Sequence, residues 1–507
     1  MLLSEILNKL QKFDYVTENV ADDVEITGIC PCSSRVEPGN LYIAIEGLHA
    51  DGHLYIGEAL KRGASAVAVT RSAVESKTVD AFALGVPTLI CEDTRVASSR
   101  LFSVFYGEPQ KEMKMIGVTG TNGKTSTCRL IYEILTRSSK KCALIGTMGC
   151  LISGKSIDIR PADPRANMTT PDPEELYKIL RAAVDDGAEF AVMEVTSHAL
   201  ALVKVEPIVF DTAIFTNLSE DHLDFHGDMQ GYFAAKRALL SQSRRAVINY
   251  DDRYGRLLAE TIDIPARLCS AEGRERDVAA EDIRLIGEKG IEYKLTSRDL
   301  RLRIRSPLPG GFNVMNTMQA AIVAHSYGAS AADIKETLAH FCGAIGRLER
   351  LKLEDGCDFS VFIDYAHTPD ALENLLRTAR GFAKDGQRIV LLFGCGGDRD
   401  RQKRPIMGKI ATGMADHVII TGDNSRSERT EDIISEIISG IERESAAPFI
   451  VIENRKDAIE YAVKNARRGD IILLAGKGHE EYEIDREGKK PFSERNLVAE
   501  FIKKYYS

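Results

Sequence analysis

Short apolar runs recur along this chain, and most of them stop at a turn rich in Gly, Asp or Asn. The opening MLLSEILNKLQKFDY carries Glu5 and Lys9 inside its apolar pattern and reads as a short amphipathic helix rather than a secretory signal. LYIAIEG (41–47) and SAVAVT (65–70) read as strands between helical stretches, and Tyr106-Gly107-Glu108-Pro109 closes this first region with a turn. MIGVTG (115–120), AEFAVMEV (188–195), DTAIFTN (211–217) and RAVINYDD (245–252) follow as buried strands with helices between several of them. That alternation predicts a mainly parallel sheet. Over 291–307 the period changes to two, which predicts an appended antiparallel hairpin. FSVFIDYAH (359–367), RIVLLFGCGG (388–397), DHVIITGDN (416–424) and DIILLAGKG (470–478) each run into a Gly- or Asp-rich turn, as in a doubly wound sheet with ligand loops at its strand ends. The pattern predicts an α/β protein of three domains, at 1–110, 111–344 and 345–507.

Composition narrows the function. The 507 residues are 44% hydrophobic and 28% charged, with 66 Lys plus Arg against 75 Asp plus Glu and a net charge of −9. An acidic chain without a dense basic block argues against nucleic acid as a partner. No run approaches the ~18 apolar residues that span a bilayer, so no membrane insertion is expected. The ten cysteines are scattered and form no CxxC pair, which suits reduced thiols in a cytoplasm better than a zinc or redox motif.

The sharpest chemical signal is Gly117-Val118-Thr119-Gly120-Thr121-Asn122-Gly123-Lys124-Thr125-Ser126, a strand running through a glycine turn into a helix expected over Cys128 to Leu135. Backbone N–H groups at such a helix start form an anion site. Lys124 can balance phosphate charge and Thr125 can offer a hydroxyl to Mg²⁺. The strict phosphate-loop pattern places its first glycine at position 118, where Val118 stands. The loop reads as a nucleoside triphosphate site.

Met193-Glu194-Val195-Thr196-Ser197-His198 and Glu220-Asp221-His222-Leu223-Asp224-Phe225-His226 follow the next two strands, gathering acids and histidines where a sheet meets its crevice. Oxygen-rich groups suit Mg²⁺ beside a phosphate loop. Lys236 lies on an expected helix after this cluster, and by residue type alone it reads as a surface lysine.

These motifs, with GGFNVMN (310–316), GRLER (346–350), DYAHTPDAL (364–372), GCGGDRDRQKRPIMG (394–408) and AGKGHE (475–480), resemble the Mur ligase family, the ATP-dependent amino-acid-adding enzymes of bacterial cell-wall precursor synthesis. The likeness covers nearly the whole chain. It implies a uridine-nucleotide domain, a central ATPase domain and a Rossmann-like amino-acid domain. It also implies an acid–amino-acid ligase that phosphorylates the D-glutamate side chain of UDP-N-acetylmuramoyl-L-alanyl-D-glutamate. ATP contacts are implied at Gly120, Thr121, Asn122, Gly123, Lys124, Thr125, Ser126, Asn316, Arg347 and Asp364. Thr125 and Glu194 would hold one Mg²⁺, with Glu194, His222 and Lys236 around a second. The family lysine is carbamylated, so Lys236 is expected as N6-carboxylysine. Lys124, Glu194, His222 and Lys236 are the expected catalytic set. The nucleotide-sugar peptide is expected at Ser34, at HADG (49–52), and at Thr169, Thr170, Thr196 and Lys204. Ser33 stands where the family has Asp, Met168 often where it has Asn, and Lys204 where it has Arg.

The acceptor is implied by Asp423-Asn424-Ser425-Arg426, since diaminopimelate-adding members carry Asp-Asn-Pro-Arg there and lysine-adding members lack the arginine. A planar guanidinium is the natural reader of a second carboxylate. Arg426 and Arg399 would hold carboxylates, Glu480 would accept from an ammonium, and Gly476 completes the expected set with Asp423, Asn424 and Ser425. Ser425 in place of proline is expected to loosen the turn, and Glu428 offers Arg426 a rival surface salt bridge. Lysine or another diamino acid as acceptor stays open, as do a folylpolyglutamate synthase and a nucleotide-regulated binding protein without catalysis. A monomer is expected.

Overall fold

The computed structural model describes residues 1–10, 13–19, 23–47, 50–157, 169–273, 276–343, 346–353, 356–384, 386–442 and 447–506. His49, Met168, the expected joint at 344–345 and the side chain of Asp224 lie outside the described residues.

Three main sheets follow one another along the chain. The first has five strands in the order Tyr15–Glu18, Thr88–Cys91, Ala66–Thr70, Asn40–Ile43, Gly28–Cys30, all parallel except the first. The second has eleven strands. Its centre is parallel, with Lys114–Thr119 lying between Phe190–Glu194 and Thr212–Phe215. The chain leaves Lys114–Thr119 toward one side of the sheet and crosses to the other after Phe190–Glu194, and such a reversal opens a crevice at the strand carboxyl ends. The third has six strands, with Ile471–Ala475 between Ser360–Asp364 and Ile389–Phe393.

Apart from the exposed Lys114 at one strand start, the central strands are buried throughout, because helices cover both faces and leave no side for polar alternation. One face of the central sheet shares a continuous apolar core with the first sheet, from Leu3, Ile6 and Phe102 to Met115 and Tyr177. The opposite face packs under Phe312–Ser326 and Lys124–Arg137.

The expected hairpin forms as Ile291–Ser297 with Arg301–Ser306, and Val278–Leu285 extends it to three antiparallel strands. A second hairpin, Gly149–Ile152 with Lys155–Ile157, caps the other edge, where the residues are too few for a periodic signal. The loop helix starts at Lys124, four residues before the expected Cys128, because Lys124 and Thr125 already lie in its first turn. All ten cysteines are free thiols. No helix among the described residues is long and apolar enough to cross a membrane.

Candidate active site

The phosphate loop is built from close backbone approach. Gly120 (φ +144°) runs so near the neighbouring strand end that a Cβ there would lie 1.9 Å from Thr216 Oγ1. At Gly123 (φ +85°) a Cβ would lie 2.6 Å from Asn316 Oδ1. Both positions therefore need glycine for space as well as for backbone conformation. The Thr121 N–H donates to Asn217 O and the Asn122 N–H to Asn217 Oδ1, both at 2.9 Å. Lys124 Nζ folds back to donate to the carbonyls of Gly120 and Thr121, each at 2.9 Å, and burial lowers its pKa.

Beside the loop, Glu194 ends its strand almost wholly buried. Its Oε2 accepts from Thr125 Oγ1 at 2.8 Å, and its Oε1 accepts from the Thr147 N–H at 2.9 Å. A Cβ at Gly146 would collide with this carboxylate. Hard oxygen donors that line a cavity, as Thr125 and Glu194 do, fit Mg²⁺. Thr169 and Thr170 join the same cluster. Thr169 Oγ1 lies 3.1 Å from Thr147 Oγ1, and Thr170 Oγ1 donates to Glu194 O at 2.8 Å. Thr196 accepts from the Ala199 N–H and so caps the short helix Ser197–Ala201 while touching Thr170. Lys204 pairs with Asp172 at 2.7 Å.

Lys236 corrects the reading by residue type. It is 1% exposed, donates to Gly120 O at 2.9 Å, and lies 4.5 Å from the Tyr232 ring centroid. Burial, reinforced by the charge of Lys124, drives its pKa well below that of an ordinary lysine. The helix Met229–Ser241 turns this position inward, which a polar residue type does not announce. His222 adopts a left-handed backbone (φ 54°), and its ring centroid lies 4.7 Å from that of His198. His226 Nε2 bonds Ser197 Oγ at 2.9 Å. Among the described residues no three His, Cys, Asp or Glu side chains are already grouped as a metal cage.

Asn122, Gly123, Ser126 and Asn316 face Arg347 and Asp364 across one cavity of about 620 Å³ between the second and third sheets. Leu308, Phe312, Leu348 and Leu375 give this cavity an apolar wall that the sequence reading did not single out, although Phe312 stands in the quoted GGFNVMN. Asp364 accepts from the N–H groups of Leu348 and Ala366, and burial raises its pKa. The Arg347 guanidinium stacks 5.0 Å from the Tyr365 ring centroid.

A second group collects around Lys477, a fully buried lysine not selected from the sequence although it stands in AGKGHE. Its Nζ reaches Asn424 Oδ1 at 2.9 Å and Asp423 Oδ1 at 3.3 Å. Asn424 Nδ2 donates to Glu480 Oε2 at 2.8 Å, and burial raises the Glu480 pKa. Gly476 (φ +114°) lies so close that a Cβ would meet Asp423 Oδ2 at 2.9 Å. Arg426 Nη1 donates to Gly397 O at 2.8 Å, while Glu428 is held by Arg404 rather than by Arg426. Arg399 is exposed at the neighbouring loop. Ser425 is buried, and the turn around it is cross-linked to the loop of Gly397 and Asp398. Ser34 lies apart from both groups, in the short turn Ser33–Arg35 between two strands of the first sheet, with its Oγ 3.2 Å from Cys32 Sγ. The adjacent Arg35 reaches Glu174 of the central region at 3.0 Å.

A phosphate loop on a parallel sheet, closed by a second doubly wound sheet across a cavity, defines a nucleotide-dependent α/β protein with a further α/β sheet ahead of it. The chain belongs to the Mur ligase family: residues 25–106 match the Mur ligase family catalytic domain, 118–324 the Mur ligase middle domain and 346–478 the Mur ligase glutamate ligase domain. It is 39% identical over 488 residues to the UDP-N-acetylmuramoyl-L-alanyl-D-glutamate--2,6-diaminopimelate ligase of Caldanaerobacter subterraneus subsp. tengcongensis, covering 95% of each chain. It is 40% identical over 482 residues to the protein of the same name from Synechococcus elongatus, covering 94% of each. A solved structure of a UDP-N-acetylmuramoyl-L-alanyl-D-glutamate--2,6-diaminopimelate ligase superposes with a TM-score of 0.65 at 30% identity, over 95% of this chain and 96% of that one.

Proposed function

We propose that this protein joins meso-2,6-diaminopimelate to UDP-N-acetylmuramoyl-L-alanyl-D-glutamate, converting ATP to ADP and phosphate; its relatives are named as ligases of that nucleotide dipeptide and 2,6-diaminopimelate. The observation that carries the reading is that one cavity sets Asn122, Gly123, Ser126 and Asn316 opposite Arg347 and Asp364. In this reading residues 1–110 bind the uridine nucleotide through Ser34, residues 111–344 bind ATP, and residues 345–507 bind the diamino acid.

The D-glutamate side-chain carboxylate attacks the γ-phosphorus of ATP, and ADP leaves. The acceptor amine then attacks the acyl-phosphate carbon and loses a proton, and the tetrahedral intermediate expels phosphate. Both steps depend on positioning and charge stabilisation. Lys124 exchanges its two carbonyl partners for phosphate oxygens. Thr125 and Glu194 would hold Mg²⁺, which would neutralise phosphate charge. Lys236, carrying carbon dioxide as a carbamate, would supply an anionic oxygen near Glu194 and His222. Thr169, Thr170, Thr196 and Lys204 would orient the peptide end of the nucleotide sugar. Arg399 and Arg426 would bind acceptor carboxylates, with Glu480 on an ammonium. The enzyme would act in the cytoplasm as a monomer.

The test is product identity. With ATP, Mg²⁺, the nucleotide-sugar dipeptide and meso-diaminopimelate, mass spectrometry should find the nucleotide extended by one diaminopimelyl residue, with one phosphate released per product. ATP hydrolysis without extension would contradict the proposal.

A further inference from the structure

Two loops of the third sheet, 394–400 and 423–428, carry the arginines assigned to the acceptor. In each loop one residue other than glycine is held in the left-handed region, Asp398 at φ 53° and Arg426 at φ 50°. Such conformations are disfavoured and persist only where surrounding contacts over-determine them. Here the loops determine each other. Ser427 Oγ donates to Asp398 Oδ1 at 2.5 Å and the Ser427 N–H to Oδ2 at 3.2 Å. The Asp398 N–H donates to Glu428 Oε1 at 2.6 Å, and the Gly397 N–H to Asn424 O at 2.9 Å. A Cβ at Gly397 would lie 1.9 Å from Ser425 O, so the two backbones touch.

Behind this contact sits Arg404, whose side chain has no exposed surface. It grips Glu428 with both ends, Nη1 to Oε2 at 2.9 Å and Nη2 to Oε1 at 2.7 Å, and donates to Glu436 Oε2 at 2.7 Å and Gly396 O at 3.1 Å. A bidentate, charge-assisted pair fixes geometry as well as charge. One guanidinium thus ties the first loop, the second loop and the helix Thr430–Ser439 together. Arg404 donates to Gly396 O, while Glu428 accepts from the Asp398 N–H and donates its own N–H to Ser425 O, so the pair holds residues that precede Arg399 and Arg426.

We infer that the buried Arg404 and the part-buried Glu428 form a clamp that positions Arg426 to read the second carboxylate of the acceptor and Arg399 to hold the other. The clamp also explains how Ser425 serves at a turn where proline would supply the stiffness. This inference rests on the acceptor proposed above.

The experiment compares wild type, Glu428→Gln and Ser427→Ala, measuring KM and kcat for meso-diaminopimelate, L-lysine, ATP and the nucleotide-sugar dipeptide, with a thermal midpoint for each. Ser427 is exposed, so its variant carries the test if Glu428→Gln fails to fold. Small displacements of a binding group cost up to about 100-fold. We expect KM for diaminopimelate to rise about 10- to 100-fold in Glu428→Gln and less in Ser427→Ala, with the preference over lysine falling in proportion. KM for ATP and for the nucleotide sugar should stay near wild type. An unchanged diaminopimelate KM in the folded variants would overturn the clamp, as would a parallel shift of all the KM values with the thermal midpoint. Wild type that turns over no diaminopimelate would remove the acceptor reading and the clamp with it, a result distinct from an active wild type with unaltered variants.

Discussion

Thr125 and Glu194 meet at 2.8 Å, hydroxyl to carboxylate, so the first turn of the loop helix and the end of the adjacent strand converge on one point beside the phosphate loop. In the proposed reading this almost wholly buried carboxylate would hold a divalent cation together with the Thr125 hydroxyl. Glu194→Gln keeps the shape and removes the charge. Its kcat should fall about 100- to 1000-fold, the scale for losing one electrostatic element of a preorganised site. Steady-state kinetics over a range of Mg²⁺ concentrations would show this, and undiminished kcat would refute the assignment.

Lys236 is buried against Gly120 with its ammonium form disfavoured. A neutral amine can attack carbon dioxide, forming an N–C bond and releasing a proton to water. Lys236→Ala should abolish turnover while calorimetry still detects the nucleotide-sugar dipeptide. In ¹³C-bicarbonate the wild type should show a carbamate carbon resonance that the variant lacks.

His367 and His479 are both pushed down to about 4, chiefly by burial and then by neighbouring cations, Lys403 for the first and Arg347 for the second. The unfolded chain therefore takes up these protons first as pH falls. The stability held by the neutral rings is complete above about 6.5 and is lost as the pH drops toward 4. Thermal midpoints across that window should decline in wild type and decline less steeply in His479→Gln. Equal slopes would show that His479 is not held neutral.

Arg455 and Glu494 form an ion pair with essentially no exposed surface, and Arg455 also donates to Ala475 O at 2.7 Å and Gly422 O at 3.3 Å. Those carbonyls immediately precede Gly476 and Asp423. Removing one partner strands a buried charge, so Glu494→Ala should cost about 3–5 kcal/mol in denaturant unfolding. A loss under about 1 kcal/mol would mean that solvent reaches the pair.

The strands are legible because burial on both faces writes them as apolar runs: the run read at 115–120 forms the strand Lys114–Thr119, and the run read at 470–478 holds the strand Ile471–Ala475. The phosphate loop was legible because its chemistry is contained within consecutive residues. Lys236, Lys477 and Arg404 were not, since each is a charged residue whose burial depends on partners distant in sequence: Gly120 for the first, Asn424 for the second, Glu428 for the third. Only the family resemblance singled out Lys236. The cross-links that Asp398 and Arg404 make around Ser425 are likewise silent in the sequence, because they depend on residues outside the turn.

The most direct measurement is phosphate release from ATP by the full chain with UDP-N-acetylmuramoyl-L-alanyl-D-glutamate, Mg²⁺ and bicarbonate, comparing meso-diaminopimelate with L-lysine as acceptor. Release that depends on the nucleotide sugar and on diaminopimelate, with little from lysine, is the predicted result. Equal release with lysine would contradict the role given to Arg426, and release with neither acceptor would contradict the ligase itself.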